Sequence, residues 1–332
     1  MAKISDVAAR AGVSVATVSR VSNGHPVNEA MERRVRRAMS ELNYTPSRAA
    51  RTLRRQTSEI IALVIPDIEN PYFTELARGV EDVASEAGYS IVLCNSDSKT
   101  EKETTYLRIA VAESMAGVII APASEQTRLD DPLAAGRPVV AVDRTSHYAI
   151  DHVVMANREA GHAATLDLVD AGYRRIACIV GPPRVDTAIE RVAGWQSALA
   201  SAFPDLDATQ LLRFSNYQMD GGRDAMESLL GLADPPDAVV AGNNLVGVGA
   251  LQVLAEHGLT PSKVGVAVIG SLPFTTLPPT AVTVVRLPAR TMGSLATTML
   301  LERIGGDRQP PRTVVLPNEI QPATARRGPS RR

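Results

Sequence analysis

The chain has 332 residues, 45 % of them hydrophobic and 21 % charged, with a formal net charge of −1. That length calls for more than one domain, the composition excludes wholesale disorder, and apolar runs such as Ile60 to Ile65 are far too short to cross a membrane. The N-terminus lacks an apolar segment of the secretory kind. Cys94 and Cys178 sit in separate apolar runs without metal or redox spacing, so we expect a cytoplasmic protein with two buried thiols, no metal and no cofactor.

Charge is uneven along the chain. Residues 1–58 carry 11 Lys and Arg against 4 Asp and Glu, whereas the remainder carries 24 against 32. A basic head on an acidic body favours a polyanionic partner for the head.

The first 46 residues read as three short helices. Ile4, Val7, Ala8 and Ala11 share a face of the first, and Gly12 supplies the left-handed backbone of a tight turn. Ser14 is placed to cap a second helix, Val15 to Ser22, and Asn28 a third, Glu29 to Leu42. Met31, Val35, Ala38, Met39 and Leu42 form the apolar stripe of the third. Residues 47–58 are a basic, polar connector, marginal as an isolated helix.

From Glu59 the pattern changes to continuous β-branched runs: Ile60–Ile65, Ile91–Cys94, Gly117–Ile120, Val139–Val142, Ile176–Val180, Ala238–Ala241, Val264–Ile269, Val282–Val285 and Thr313–Leu316. Strands buried on both faces read this way. Amphipathic helical stretches between many of them predict an α/β fold of parallel sheets flanked by helices. The stretch is too long for one such sheet, so we expect two lobes. The chain would cross between them near residues 155–161, 285–289 and 316–318, with a ligand between lobes at the carboxyl ends of strands.

In the head, Ala8, Gly12, Val13, Val18 and Val21 sit where a helix-turn-helix needs small or apolar residues. Its second helix presents Val15, Ala16 and Arg20 to a major groove. Arginine pairs with guanine in bidentate fashion, and apolar side chains contact thymine methyls. Ser14, Thr17, Ser19 and Asn23 suit phosphate contacts, which position the protein without reading sequence. No G-x-G-x-x-G turn, phosphate-loop lysine, nucleophile elbow or histidine cluster appears, so no enzyme activity is expected.

Together, DVAARAGVSVATVSRVSNG and ELNYTPSRAARTLR resemble the DNA-binding head and hinge of the LacI/GalR family of bacterial transcriptional regulators. PDIENPYF, VDR, GYRRIACIVGP, ERVAGW and GVAVIG extend the similarity through the body. The resemblance implies a two-lobed, periplasmic-binding-protein-like core and a cytoplasmic homodimer on double-stranded DNA at a near-palindromic operator. It implies a hinge that becomes helical on DNA and wedges Leu53 into the minor groove, with Ala50 beside it and Arg48 and Arg51 near phosphates. The function implied is that of a regulator, a repressor by resemblance, whose operator affinity changes with a small, sugar-related effector. Matched residue by residue, the effector site comprises Tyr72, Phe73, Asp143, Asn157, Arg191, Tyr217, Asn243 and Leu272.

Leu272 stands where the family usually has an aspartate that grips sugar hydroxyls. This points to a ligand less hydroxylated, more anionic or more apolar than a plain hexose. The domains expected are 1–46 (head), 47–58 (hinge), 59–322 (core) and a disordered tail, 323–332, without the heptad helix that makes tetramers. Alternatives are a regulator controlled by a protein partner, a solute-binding protein without a DNA role and, last, a sugar-converting enzyme.

Overall fold

The computed structural model describes residues 2–22, 25–44, 57–259, 263–272 and 281–324. The chain divides into two units, Met1–Ser58 and Glu59–Arg332.

In the first unit, α1 (Ile4–Ala11), α2 (Val15–Ser22) and α3 (Glu29–Glu41) enclose a small core. Val7, Ala8 and Ala11 of α1, Val18 and Val21 of α2, and Val35 and Ala38 of α3 build it. Gly12 ends α1 at φ 65°, and the turn closes as Val13 N–H donates to Ala8 O at 3.1 Å. The Ser14 hydroxyl accepts from Thr17 N–H at 3.1 Å, and Asn28 Oδ1 accepts from Ala30 N–H at 2.9 Å. Each cap satisfies a donor that the helix start leaves open. Met31, expected in the α3 stripe, is instead 40 % exposed; Val35 and Ala38, one and two turns further on, already close this small core.

The second unit has two sheets. The first takes β1 (Ile60–Ile65), β2 (Ser90–Asn95), β3 (Gly117–Ile120), β4 (Val139–Val142), β5 (Asp151–Met155) and β11 (Thr313–Leu316) in the order β11-β5-β4-β3-β1-β2. All its pairings are parallel. Helices α4 (Pro71–Glu86), α5 (Thr100–Ala112), α6 (Asp130–Ala134) and α11 (Ala289–Ile304) cover it.

The second sheet takes β6 (Ile176–Val180), β7 (Leu212–Phe214), β8 (Ala238–Ala241), β9 (Gly265–Ile269), β10 (Thr283–Arg286) and β12 (Glu319–Gln321) in the order β12-β10-β9-β8-β6-β7. Only β12 runs antiparallel to its neighbour, β10. Helices α7 (Asn157–Asp170), α8 (Asp186–Ala202), α9 (Met219–Leu230) and α10 (Asn244–Glu256) flank it. The chain passes between lobes three times, at 155–157, 286–289 and 316–319, as the sequence predicts.

Close helix packing depends on reciprocal glycines. Gly79 and Gly293 meet where α4 crosses α11, Gly161 and Gly194 where α7 crosses α8, and Gly222 and Gly249 where α9 crosses α10. A Cβ on Gly194 would stand 2.0 Å from the Arg158 carbonyl oxygen, so no larger residue permits that approach. Trp195, fully buried beside the α7–α8 crossing, donates Nε1–H to Ile176 O at 3.1 Å. In the first lobe, Arg303 of α11 donates from Nε and Nη2 to the two carboxylate oxygens of Asp151, at 2.7 and 2.9 Å. That fork fastens the last turn of α11 to the start of β5.

Both sheets share one topology. The chain runs from a central strand out to the edge, then returns to the other side of that strand: β1 to β2 to β3, and β6 to β7 to β8. Loops leaving the carboxyl ends at these reversals diverge and open a crevice. Two such crevices face each other here.

Candidate functional site

On the head, Ser14, Val15, Ala16 and Arg20 are exposed, with Val15 at 43 %, while Thr17 and Ser19 are half-buried. Val18 and Val21 turn the opposite face of α2 into the core. The Ser14 and Thr17 hydroxyls pair at 2.9 Å, leaving the start of α2 with a defined polar edge. The α3 acids hold nearby arginines: Glu29 with Arg33, Glu32 with Arg36, and Glu41 with both Arg37 and Arg10. Among the described residues Arg20 has one weak restraint, Nη2–H to Pro26 O at 3.3 Å. Its charge therefore stays available on the exposed face. Asn23, Arg48, Ala50, Arg51 and Leu53, expected to contact DNA, lie outside the described residues.

The core holds a cleft of about 690 Å³ lined from both lobes, within the range of small-molecule sites. Its lining comes from the segments that follow β1, β2, β3 and β4 in one lobe and β6, β7, β8 and β9 in the other, with Leu287 after β10. Of the residues expected to bind an effector, Tyr72, Phe73, Asp143, Arg191, Tyr217 and Asn243 line it; Asn157 and Leu272 do not.

Asn157 stands behind the wall, buried, and accepts Arg191 Nε–H on Oδ1 at 2.9 Å. Arg191 also donates from Nη1 to the Gly242 carbonyl, so Asn157 and Gly242 together position the guanidinium. Leu272 is half-buried against the core of the second lobe, where an aliphatic side chain gains more than it would in a polar cleft.

Asn243 is largely committed to structure. Its Oδ1 caps α10 by accepting from Val246 N–H at 2.8 Å, and its Nδ2 donates to Tyr217 O at 2.9 Å. Tyr217 adopts φ 64°, and its hydroxyl pairs with that of Thr187 at 3.0 Å. Its ring occupies the space beside Gly181, where any Cβ would collide with it. Asp143, also left-handed at φ 65°, is buried with its carboxylate 3.6 Å from Arg144 Nε. Burial and this neighbouring carboxylate push the Tyr72 phenol well above its ordinary value, so it stays a neutral donor.

Sequence reasoning missed several lining residues: Asp67, Arg144, Arg184, Thr187, Gln218 and Asn244. Among the described residues, two pairs of side chains also tie the lobes together, and the Thr145 hydroxyl adds a second bond to Asp186. Gln218 Nε2–H donates to Asp67 Oδ2 at 2.9 Å, and Thr145 N–H donates to Asp186 Oδ2 at 3.1 Å. The available signal was position, because all of these follow the carboxyl end of a strand. Among the described residues no group of His, Cys, Asp and Glu is arranged to hold a metal, and no helix is long and apolar enough to cross a membrane.

A helix-turn-helix unit in one chain with a two-lobed core that closes on a polar cleft defines a class, the ligand-binding transcriptional regulators. Residues 3–47 match the model for bacterial regulatory proteins of the lacI family. Residues 58–324 match the model for periplasmic binding proteins and the sugar binding domain of the LacI family. The chain belongs to the LacI family and is a DNA-binding transcriptional regulator.

The ribose operon repressor of Halalkalibacterium halodurans is 35 % identical over 311 residues, covering 92 % of this chain and 91 % of that protein. The transcriptional regulator CelR of Thermobifida fusca is 34 % identical and covers 95 % of each chain. Among solved structures, a CelR–cellobiose complex matches with a TM-score of 0.72 at 30 % identity, over 97 % of this chain and 98 % of that one. A lac repressor dimer bound to operator shares the fold, with a TM-score of 0.84 at 23 % identity, over 98 % of this chain and 99 % of that one.

Proposed function

We propose that this regulator works as a homodimeric, cytoplasmic repressor whose hold on a near-palindromic operator is set by a small molecule in the interlobe cleft. In this reading Val15, Ala16 and Arg20 of each subunit read one half-site, and the hinges, 47–58, place Leu53 at the central step. Inserting an apolar wedge there costs a few kcal/mol, roughly, which the extra contacts of bent DNA offset.

The observation that carries the effector reading is the two hydrogen-bonded contacts between the lobes, Gln218 to Asp67 and Thr145 to Asp186. A ligand seated between the lobes changes the geometry of both contacts, so occupancy and interlobe angle are coupled. A ligand that prefers one angle shifts the population able to bind DNA. Relatives named for ribose, cellobiose and purines support an effector among sugars and similar small molecules.

The test is a mobility-shift and footprinting assay of the full chain on DNA flanking its own coding region, with and without a panel of sugars, sugar acids, sugar phosphates and nucleobases. A protected near-palindrome whose occupancy responds to a panel member supports the reading. Protection that no small molecule alters would remove the effector arm and leave the DNA arm standing.

A further inference from the structure

The two walls of the cleft differ in charge. The first lobe contributes four carboxylates, Asp67, Glu69, Asp97 and Asp143. The lining from the second lobe contains no carboxylate among the described residues, but it contains Arg184 and Arg191. Arg191 is held by Asn157 and Gly242. Arg184 is exposed and has no hydrogen bond or ion pair to the described residues.

Arg184 lies two residues before α8, a helix of 17 residues whose N-cap position, Val185, provides no side-chain cap. The open N–H groups of a helix start favour an anion. Arg144, from the first lobe, meets Arg184 in the lining of both the cleft and a small side chamber. The Arg144 side chain is only 9 % exposed and already held: Nη1 donates to the Pro122 and Ala123 carbonyls at 2.9 and 3.3 Å, and the buried Nε lies 3.6 Å from the Asp143 carboxylate. Glu125 and Asp186 border the same chamber, but Asp186 is already engaged by Thr145 N–H.

A neutral sugar leaves the Arg184 charge unanswered. An anionic group answers it with charge-assisted hydrogen bonds, the strong kind. Hydroxyls on the rest of the ligand would donate to Asp143 and Asp67 on the opposite wall, as carboxylates only accept.

We propose that the effector is a polyhydroxylated anion. Its carboxylate or phosphate is held by Arg184 and the first turn of α8, and Arg184 sets the preference over the neutral parent sugar. The proposal rests on the small-molecule reading of the cleft and narrows it to a chemical class.

The experiment is calorimetric titration of the full chain with matched sets: ribose against ribose 5-phosphate, and glucose against gluconate and glucose 6-phosphate. Thermal melts in phosphate against chloride at equal ionic strength supply a probe without a ring. Wild type and Arg184→Ala are compared, with Arg184→Lys as the conservative control. Because Arg184 is exposed, unliganded melting points of all three should coincide.

The expected result is at least tenfold tighter binding of an anionic member than of its neutral partner. Arg184→Ala should lose that margin and Arg184→Lys should recover part of it. Phosphate raises melting points generally, so wild type should gain more from phosphate over chloride than Arg184→Ala does. Gluconate against glucose 6-phosphate separates the carboxylate source from the phosphate source. Neutral sugars binding as tightly as their anionic partners would overturn the proposal and leave the regulator reading intact. So would an anion margin that survives Arg184→Ala. No binding by any member, with no phosphate gain beyond that of Arg184→Ala, would overturn it too and would also count against the small-molecule reading.

Discussion

Gly161 faces the backbone of Arg191 so closely that a β-carbon on the glycine would stand 2.2 Å from the Arg191 carbonyl oxygen. The guanidinium that lines the cleft is thus set in place by a helix crossing and, through Nε, by Asn157 of the facing helix. Gly161→Ala should separate α7 from α8, lowering core stability by about 1–3 kcal/mol as overpacking does. It should also weaken effector binding at least tenfold. Denaturant melts with ligand titration check both; unchanged affinity in a destabilised protein would show that Arg191 placement does not depend on this crossing.

Arg20 is exposed and only weakly held, through Pro26 O. Arg20→Ala should cost about 1–3 kcal/mol in operator binding and relax sequence preference at one base of each half-site. A binding-site selection experiment measures this directly. Uniform weakening on every sequence would make Arg20 a phosphate contact instead.

The Arg303–Asp151 fork holds a carboxylate whose side chain is 1 % exposed, and Arg312 N–H adds a third bond to it at 2.8 Å. Despite the opposing effect of its burial, these donors hold the Asp151 carboxyl below its ordinary value. Its stabilisation is therefore present above the ordinary carboxylate range and lost as pH falls through the depressed pKa. Asp151→Asn should destabilise the core by about 3–5 kcal/mol at neutral pH, since it strands the arginine. The gap to wild type should narrow in acid, as urea melts at pH 7 and pH 3 would show.

His152 follows Asp151 in β5, buried, and its Nε2 accepts Ser146 N–H at 3.1 Å. Burial pushes its pKa below the ordinary 6.5, against the weaker pull of its hydrogen bonds and of Asp151. The neutral ring is the stabilising form, so its contribution is full above pH 6.5 and is lost as pH falls through the depressed value. His152→Gln should flatten the stability profile of the core in that window; an unchanged slope between pH 5 and pH 6.5 would assign the titration to another group.

Much of the architecture was legible because it rests on short-range signals. The caps at Ser14 and Asn28, the turn at Gly12 and the uninterrupted apolar strands each leave a mark in the sequence. Three strands were missed for identifiable reasons. The strand β5 opens on Asp151 and His152, polar residues that tertiary partners bury. Both β7 and β12 have only three residues each, at the outer edge of their sheet, too few for a period to show.

The cleft was legible in location but less so in membership. Arg184 and Gln218 read as solvated loop residues until the sheets bring their loops together. Leu272 took its expected role from a matching position, yet its aliphatic side chain packs on the lobe core. Asn157, expected in the cleft, is not among its lining residues and instead bonds Arg191 from behind.

The first lobe begins at residue 59 but is finished by α11 and β11, and Ala289, Met292, Ala296, Met299 and Leu300 of α11 fill a large part of its interior. On a ribosome adding about 5–20 residues per second, that lobe waits with an open hydrophobic face until synthesis has passed Leu316. The second lobe has five of its six strands translated by Arg286. At Arg286 the lobe made first is therefore the less complete of the two, and a premature stop there would damage the amino-terminal half of the core more than the carboxyl-terminal half.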